Sequence, residues 1–407
     1  MKILFVHQNF PGQFRHLAPE LARRGHQVTG LGSHKPDHLL AGVEHLLHQP
    51  KAGASAVAKT EPGLAELETK LVRGRAVAAL LEQRKADGQV PDVVFSHPGW
   101  GEAMFLRDVF PTARLLSYAE YYYGGDTGDL AFDPEFSRPT PEARQRARLK
   151  NTHLLHALSV SDANLSPTEF QRDQHPAWAW PRISVVHDGI DTAKFAPNPK
   201  ASVHLQRQGV ALTVGQETVT FVARQLEPYR GYHIFMRALP ILQKLRPHAR
   251  VVIVGGDQVS YGAAPTNGKT WRQTFLDEVA AGLDMGRVHY VGRLPHAVLT
   301  QLMQVSAAHV YLTYPFVLSW SLLEAMSIGC LIVGSRTAPV EEVIQHGHNG
   351  LLTDFFDPQA LAETIAHALE HRAQMAPLRE AARRTVVERF DLQGHCLPKL
   401  VDFTLGG

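Results

Sequence analysis

The sequence predicts an α/β protein built from two doubly wound parallel-sheet domains. Three observations predict it. Short β-branched runs alternate with amphipathic helical patterns from one end of the chain to the other. The length, 407 residues, exceeds what one ordinary hydrophobic core organises. A turn-rich stretch interrupts the alternation near the middle, and a second alternating series begins after it.

The first strand is read at residues 2–7. A polar turn with Pro11-Gly12 follows, and then an amphipathic segment with Leu17, Leu21 and Ala22 at helical spacing. Gly25 ends that helix, and residues 26–31 read as the next strand, which makes a βαβ unit with parallel strands. Residues 63–87 form a long helix rich in Ala, Leu, Glu, Lys and Arg. Strands follow at 92–96 and 113–118, and a helix at 141–157 begins after Pro139-Thr140-Pro141. Residues 183–187 form the last strand of this half. The Rossmann-like first domain is therefore expected over 1–190, with a linker at 191–215 around Pro197-Asn198-Pro199-Lys200.

The second Rossmann-like domain is expected over 216–390. Its strands are read at 218–223, 250–254, 288–291, 309–312 and 331–334, and two helices at 357–371 and 375–389 close the series. A final helix within 391–407 is expected to rejoin the first domain. Doubly wound sheets bind ligands at the carboxyl ends of their strands, which puts the expected site in a cleft faced by both halves.

Composition excludes several classes. Lys plus Arg is 41 and Asp plus Glu is 39, so a formal charge of +2 gives no global field for nucleic acid, and any anion must be held by a local arrangement. The 23 histidines are scattered and give a metal site little support. Cys330 and Cys396 lie in apolar surroundings and read as reduced, buried thiols, which fits a cytoplasmic protein. The apolar run at the N-terminus is too short for a signal-peptide core, and no window approaches about 20 apolar residues. Lys59, Lys70, Arg73, Arg75, Arg84 and Lys85 lie in or near the long helix. Interleaved Glu61, Glu66, Glu68 and Glu82 favour a solvated face over a peripheral membrane contact.

Three places carry chemistry. Arg224 and Arg230-Gly231 follow a strand and open a helix, where orphan N–H groups and the positive dipole end suit a diphosphate. Ser319-Trp320-Ser321-Leu322 also lies between a strand and a helix. Glu324, three residues after Ser321, has capping-box spacing, so it either caps the helix or accepts hydrogen bonds from sugar hydroxyls. Gly12 lets backbone approach a ligand at the switch point of the first sheet, though Gly-x-Gly-x-x-Gly is absent.

These residues resemble glycosyltransferase family 4, the retaining nucleotide-sugar-dependent enzymes of GT-B fold. The resemblance rests on Leu21–Thr29, on His187-Asp188-Gly189-Ile190-Asp191, on Arg224 with Arg230-Gly231, and on Val254-Gly255-Gly256-Asp257. It is completed by Glu324-Ala325-Met326, Glu341-Glu342 and Asn349-Gly350, in family order. It implies that Arg224 and Arg230 hold the donor diphosphate and that Glu324 binds the ribose hydroxyls. Backbone amides around Ser319, Trp320, Ser321 and Leu322 would meet the donor sugar or phosphate. Gly12 and Gly255 would line the donor, and Gly292-Arg293-Leu294 would sit beside the base. It implies no metal and no cofactor besides the UDP- or GDP-sugar substrate.

The departures matter equally. The family's first signature carboxylate, which contacts donor-sugar hydroxyls, falls at Phe316, so the donor sugar is not legible. This substitution also motivates an alternative: a degenerate family member that binds nucleotide-sugar without turnover. His97 ends one strand and Glu120 follows the next. His97 reads as a structural group or as one that hydrogen-bonds the donor sugar or acceptor, and Glu120 is a candidate to position the acceptor hydroxyl or stabilise positive charge on the sugar. Tyr121–Tyr123 with Phe132-Asp133-Pro134 would either stack on a glycan, lipid-linked or small-molecule acceptor or anchor a loop. Residues 260–271, rich in Gly, Ala and Pro, read as a mobile loop.

Overall fold

β1 (Lys2–Val6) is apolar along its length because both its faces are covered: Ile3, Leu4, Phe5 and Val6 are each at most 5% exposed. The computed structural model describes residues 1–35, 38–49, 62–125, 128–138 and 140–406. Of the positions singled out from sequence, Lys59, Glu61 and Pro139 lie outside the described residues.

The chain divides into two compact units, Met1–Gly189 with Gln393–Gly407, and Ile190–Leu392. The first carries a parallel sheet of β1, β2 (Gln27–Gly32), β3 (Val43–Leu47), β4 (Val93–Ser96), β5 (Arg114–Tyr118), β6 (Ala163–Ser166) and β7 (Ile183–Val185), in the order 3-2-1-4-5-6-7. The order reverses between β1 and β4, which pair in parallel with Val6 opposite Ser96. The next residues, His7 and His97, therefore leave the sheet side by side at its carboxyl edge. β3 and β6 escape the sequence reading because VEHLL has one β-branched residue and ANLS has none.

The helix expected over 141–157 is two helices, Pro141–Lys150 and Thr152–Val160. Asn151 breaks it: the side chain donates to the Tyr123 carbonyl at 2.7 Å and accepts the Tyr123 N–H at 3.0 Å. The last helix, Leu397–Leu405, belongs to the first unit. Arg114 Nη1 donates to the carbonyls of Phe403 and Thr404, and the Phe403 ring lies 5.7 Å from Phe95.

The second unit carries β10 (Thr218–Gln225), β11 (Arg250–Gly256), β12 (Val288–Gly292), β13 (Ala308–Tyr311), β14 (Ile332–Ser335) and β15 (Leu351–Thr353). They are parallel throughout, in the order 12-11-10-13-14-15. The segment read as a linker over 191–215 is not one. It holds an antiparallel hairpin of β8 (Ser202–Leu205) and β9 (Val210–Thr213), whose Val203, Leu205 and Leu212 pack with Val252, Val254, Leu302 and Val305. Alternating burial along SVHL and a left-handed Gly209 at the turn are hairpin features that the neighbouring Pro and Asn residues obscured. Among the described residues no helix is long and apolar enough to cross a membrane.

Because Leu212 is fully buried in this core, Leu212→Ala should destabilise the second unit by about 2–5 kcal/mol. The midpoint of urea unfolding checks this; a midpoint unchanged from wild type would mean that the hairpin is not part of the core.

Candidate functional site

In the first unit, Gly12 has φ +47, and a Cβ there would lie 2.4 Å from His7 Nε2. Only glycine lets the turn come down on the imidazole. The loop then places Gln13 between two strand ends. His7 Nδ1 accepts the Asn9 N–H at 2.9 Å, so the ring proton sits on Nε2, which donates to Gln13 Oε1 at 2.8 Å. Gln13 Nε2 in turn donates to Glu120 Oε1 at 2.8 Å. On the other side His97 Nδ1 accepts the Gly99 N–H at 3.2 Å, which leaves the proton on Nε2, 3.3 Å from Glu120 Oε2. Glu120 therefore receives a donor on each oxygen. Burial alone would raise its pKa, but the hydrogen bonds from His97 and Gln13 outweigh this and hold it below the usual carboxylate range.

The sequence named His97 and Glu120 but missed His7 and Gln13. Their signal was positional, since His7 ends β1 next to the strand that His97 ends. His97 is held in one tautomer, its Nδ1 engaged by backbone and its Nε2 proton directed at Glu120.

His97 and Glu120 line a hollow of about 390 Å³ that Trp100, Tyr118, Tyr121 and Tyr123 also line. The tyrosine run anchors its loop as well. Tyr121 donates to Asp129 at 3.1 Å, and Tyr123 carries the Lys150 ammonium 3.6 Å over its ring. The long helix, Pro62–Ala86, does not present Lys70 to solvent, because that residue is only 7% exposed and lines the same hollow with half-buried Arg73. The mixed-charge pattern described the helix surface, and the packing of residues 150 and 153 against it determined its buried face.

In the second unit, Arg224, Arg230, Ser319 and Ser321 share the lining of one hollow of about 130 Å³ with Tyr261. The two arginines differ. Arg224 is exposed and makes no hydrogen bond or ion pair with the described residues. Arg230 is buried, and its Nη1 donates to Tyr311 Oη, Thr313 Oγ1 and the Val317 carbonyl. Gly231, at φ +64, makes this turn possible, since a Cβ would lie 2.3 Å from that of Leu312.

Ser319 caps the helix Trp320–Ile328, its Oγ accepting the Ser321 N–H. Ser321 and Glu324 therefore do not form the capping box their spacing suggested: Glu324 lies too far into the helix, and its Oε2 is 3.5 Å from His296 Nε2. Of the amides expected to meet the donor, those of Ser319, Ser321 and Leu322 are engaged within the protein. The Ser319 N–H donates to Tyr311 Oη at 3.0 Å and the Leu322 N–H to the Ser319 carbonyl at 3.1 Å. The Leu322 side chain is core, the Trp320 ring packs beside that core, and Leu294 packs against the hairpin cluster. Gly255 fits closely under Leu226, 2.7 Å from a built Cβ, which is a packing reason for glycine; Gly292 is left-handed at φ +65, and Arg293 lies beside Gly256.

The loop expected to be mobile is anchored at its start. Glu227, fully buried and missed from sequence, accepts N–H groups of Ser260, Tyr261 and Gly262 at 3.2–3.4 Å. This sets Tyr261 5.0 Å from Phe316 and within 5.3 Å of the Arg230 guanidinium. Phe316 thus belongs to an aromatic group with Tyr229 and Tyr261.

The family described as glycosyl transferase family 4 group matches residues 24–195, and glycosyl transferases group 1 matches residues 205–385. Residues 24–195 thus carry a family 4 group glycosyl transferase domain, and residues 205–385 a glycosyl transferases group 1 domain. Curated relatives include D-inositol 3-phosphate glycosyltransferases of Corynebacterium urealyticum and Corynebacterium efficiens. The first is 29% identical over 60% of this chain and 55% of its own length, the second 24% over 77% and 71%. The chain thus spans just over half the length of the first. Among solved structures, Anabaena HepE in complex with UDP and glucose matches with a TM-score of 0.70 at 17% identity over the whole of both chains. Sucrose-phosphate synthase from Thermosynechococcus elongatus matches with 0.71 at 17% over 100% of this chain and 97% of its own. These likenesses give the chain a GT-B fold of two Rossmann-like units.

The buried histidines lower the stability of this protein in acid. Burial lowers His7 to about 3 and His153, His187 and His309 to about 4, from an ordinary 6.5. Below pH 6.5 the unfolded chain binds protons that the folded chain refuses. Stability is therefore complete above pH 6.5 and falls as pH drops towards 4, by on the order of 1 kcal/mol per pH unit for each histidine. Melting temperatures between pH 7.5 and 4.5 check this, and a flat profile down to pH 5 would contradict it.

Proposed function

We propose that this glycosyltransferase moves a sugar, with retention of anomeric configuration, from a UDP-sugar to an acceptor hydroxyl. The observation that carries the proposal is the convergence of Arg224 and Arg230 on one hollow at the head of a helix. Two guanidiniums and a positive helix end suit the diphosphate leaving group and supply, without a metal ion, the charge that its departure requires. The UDP held by the HepE structures favours UDP over GDP. Glu324 would receive the ribose hydroxyls, as the family resemblance implies.

Glu120 faces the acceptor. Each oxygen already takes one protein donor, and each keeps a lone pair for a hydroxyl. In this reading Glu120 orients the acceptor oxygen and stabilises positive charge developing on the sugar. The bond from the anomeric carbon to the leaving phosphate breaks, the bond to the acceptor oxygen forms, and the acceptor proton passes to the phosphate. Two buried thiols, with Cys330 pushed up to about 12 by burial, suit a reducing cytoplasm.

Arg224→Ala should weaken UDP binding about tenfold or more while leaving the fold intact, as calorimetry would measure; unchanged affinity would remove the donor site from this place. Glu120→Gln should lower kcat by about a hundredfold or more with UDP affinity preserved, read from single-turnover transfer. Binding of UDP-sugar with neither transfer nor hydrolysis would favour the non-catalytic alternative that Phe316 suggests.

A further inference from the structure

Glu324 sits in the middle of the helix Trp320–Ile328, with its side chain 8% exposed and a single side-chain partner among the described residues. That partner is His296, whose Nε2 lies 3.5 Å from Glu324 Oε2. A desolvated carboxylate needs hydrogen-bond donors, and Oε1 receives none from the described residues. Oε1 is therefore suited to a hydroxyl group of a ligand.

The imidazole is fixed from two sides. His296 opens the helix His296–Val305, and the Phe195 ring lies 5.2 Å away, edge to face. Phe195 is itself buried and tied to the helix that carries Glu324: its carbonyl accepts Ser327 Oγ at 2.6 Å, and also Arg383 Nη1 at 3.2 Å. The preceding residue, Lys194, brings its Nζ to 3.4 Å from His296 Nδ1. An ammonium has only protons to give, so Nδ1 presents its lone pair, and the proton of the neutral ring sits on Nε2, directed at Glu324. Donors thus run in one direction from Lys194 through His296 to Oε2. Packing against Phe195 asks only for a ring; the two nitrogens are used in opposite senses.

We propose that His296, held by Lys194, is a positioning residue that fixes the Glu324 carboxylate for the ribose hydroxyls of the nucleotide, and that this makes the second unit select a ribonucleotide. The inference rests on the UDP-sugar reading above, with Glu324 as the ribose contact. A carboxylate free to rotate loses rotamer freedom when a ligand fixes it, whereas one held in advance loses less. A nucleotide without those hydroxyls leaves the buried carboxylate short of a donor, and a site built around such a hydrogen bond rejects the analogue that lacks it.

The test is calorimetric titration of the full chain at pH 8 with UDP and with 2′,3′-dideoxyuridine 5′-diphosphate. Wild type should bind UDP about tenfold or more tightly than the analogue. His296→Phe keeps a ring against Phe195 and removes both nitrogens. It should weaken UDP about fivefold and leave the affinity of the analogue unchanged, so that the preference falls to about twofold. Lys194→Met should shift the preference in the same direction by a smaller factor, and Glu324→Gln should abolish it. Melting temperatures report that each variant is folded. A folded His296→Phe protein that keeps the wild-type preference, or that loses affinity for both nucleotides equally, would overturn the proposal; with the preference abolished by Glu324→Gln, the ribose reading of Glu324 would still stand. If His296→Phe does not fold, an unchanged preference in Lys194→Met overturns the proposal. A preference kept by Glu324→Gln, or equal binding of the two nucleotides by wild type, would remove the ribose reading and the positioning role with it. No binding of either nucleotide by wild type would remove the UDP reading and everything that rests on it.

Discussion

The parallel pairing of β1 with β4 is the constraint on which the network around Glu120 depends. A strand buried on both faces can offer side chains to a ligand only where it ends, and the reversal of strand order leaves two such ends adjacent. His7 and His97 occupy them. Everything else in the network follows from backbone. The N–H groups of Asn9 and Gly99 fix the two imidazole tautomers, and Gly12 allows Gln13 to reach across and meet Glu120. An ionised carboxylate is thereby held by donors whose hydrogen positions are set by the main chain.

The second unit meets a comparable demand with a different device. A buried carboxylate, Glu227, gathers three consecutive amides and so places Tyr261 over Arg230. Arg230 is thus surrounded by the oxygens of Tyr311, Thr313 and Val317 on one side and aromatic faces on the other. Its geometry is fixed before any ligand arrives, while Arg224, exposed, keeps its rotamer freedom. One pre-set and one adjustable guanidinium on the same hollow combine low reorganisation with room for a substrate to enter.

Charge in the two halves follows one logic. A near-neutral chain has no long-range attraction to offer an anion, so each cluster of cations works locally. Lys70 pairs with Glu66 and contacts the neutral His153, while Lys150 rests over the Tyr123 ring.

The alternation of strands and helices, the position of the turn glycines Gly12 and Gly231, and the ordered motifs of the second half were legible in the sequence because each depends on local geometry or on spacing. Phe316 was legible as a departure, and its aromatic neighbours were not. The hairpin inside the apparent linker, the break at Asn151 and the partners of Glu120 were hidden, because each is made by a residue distant along the chain. Lys70 shows the division most clearly. Periodicity marks the faces of an amphipathic helix, but what covers a face is set by the elements that pack against it. The sequence by itself determined the family, the two-sheet architecture and the pair of arginines. Only the tertiary structure decided which charges turn inward and which nitrogens carry protons, since burial and hydrogen-bond direction are properties of neighbours in space.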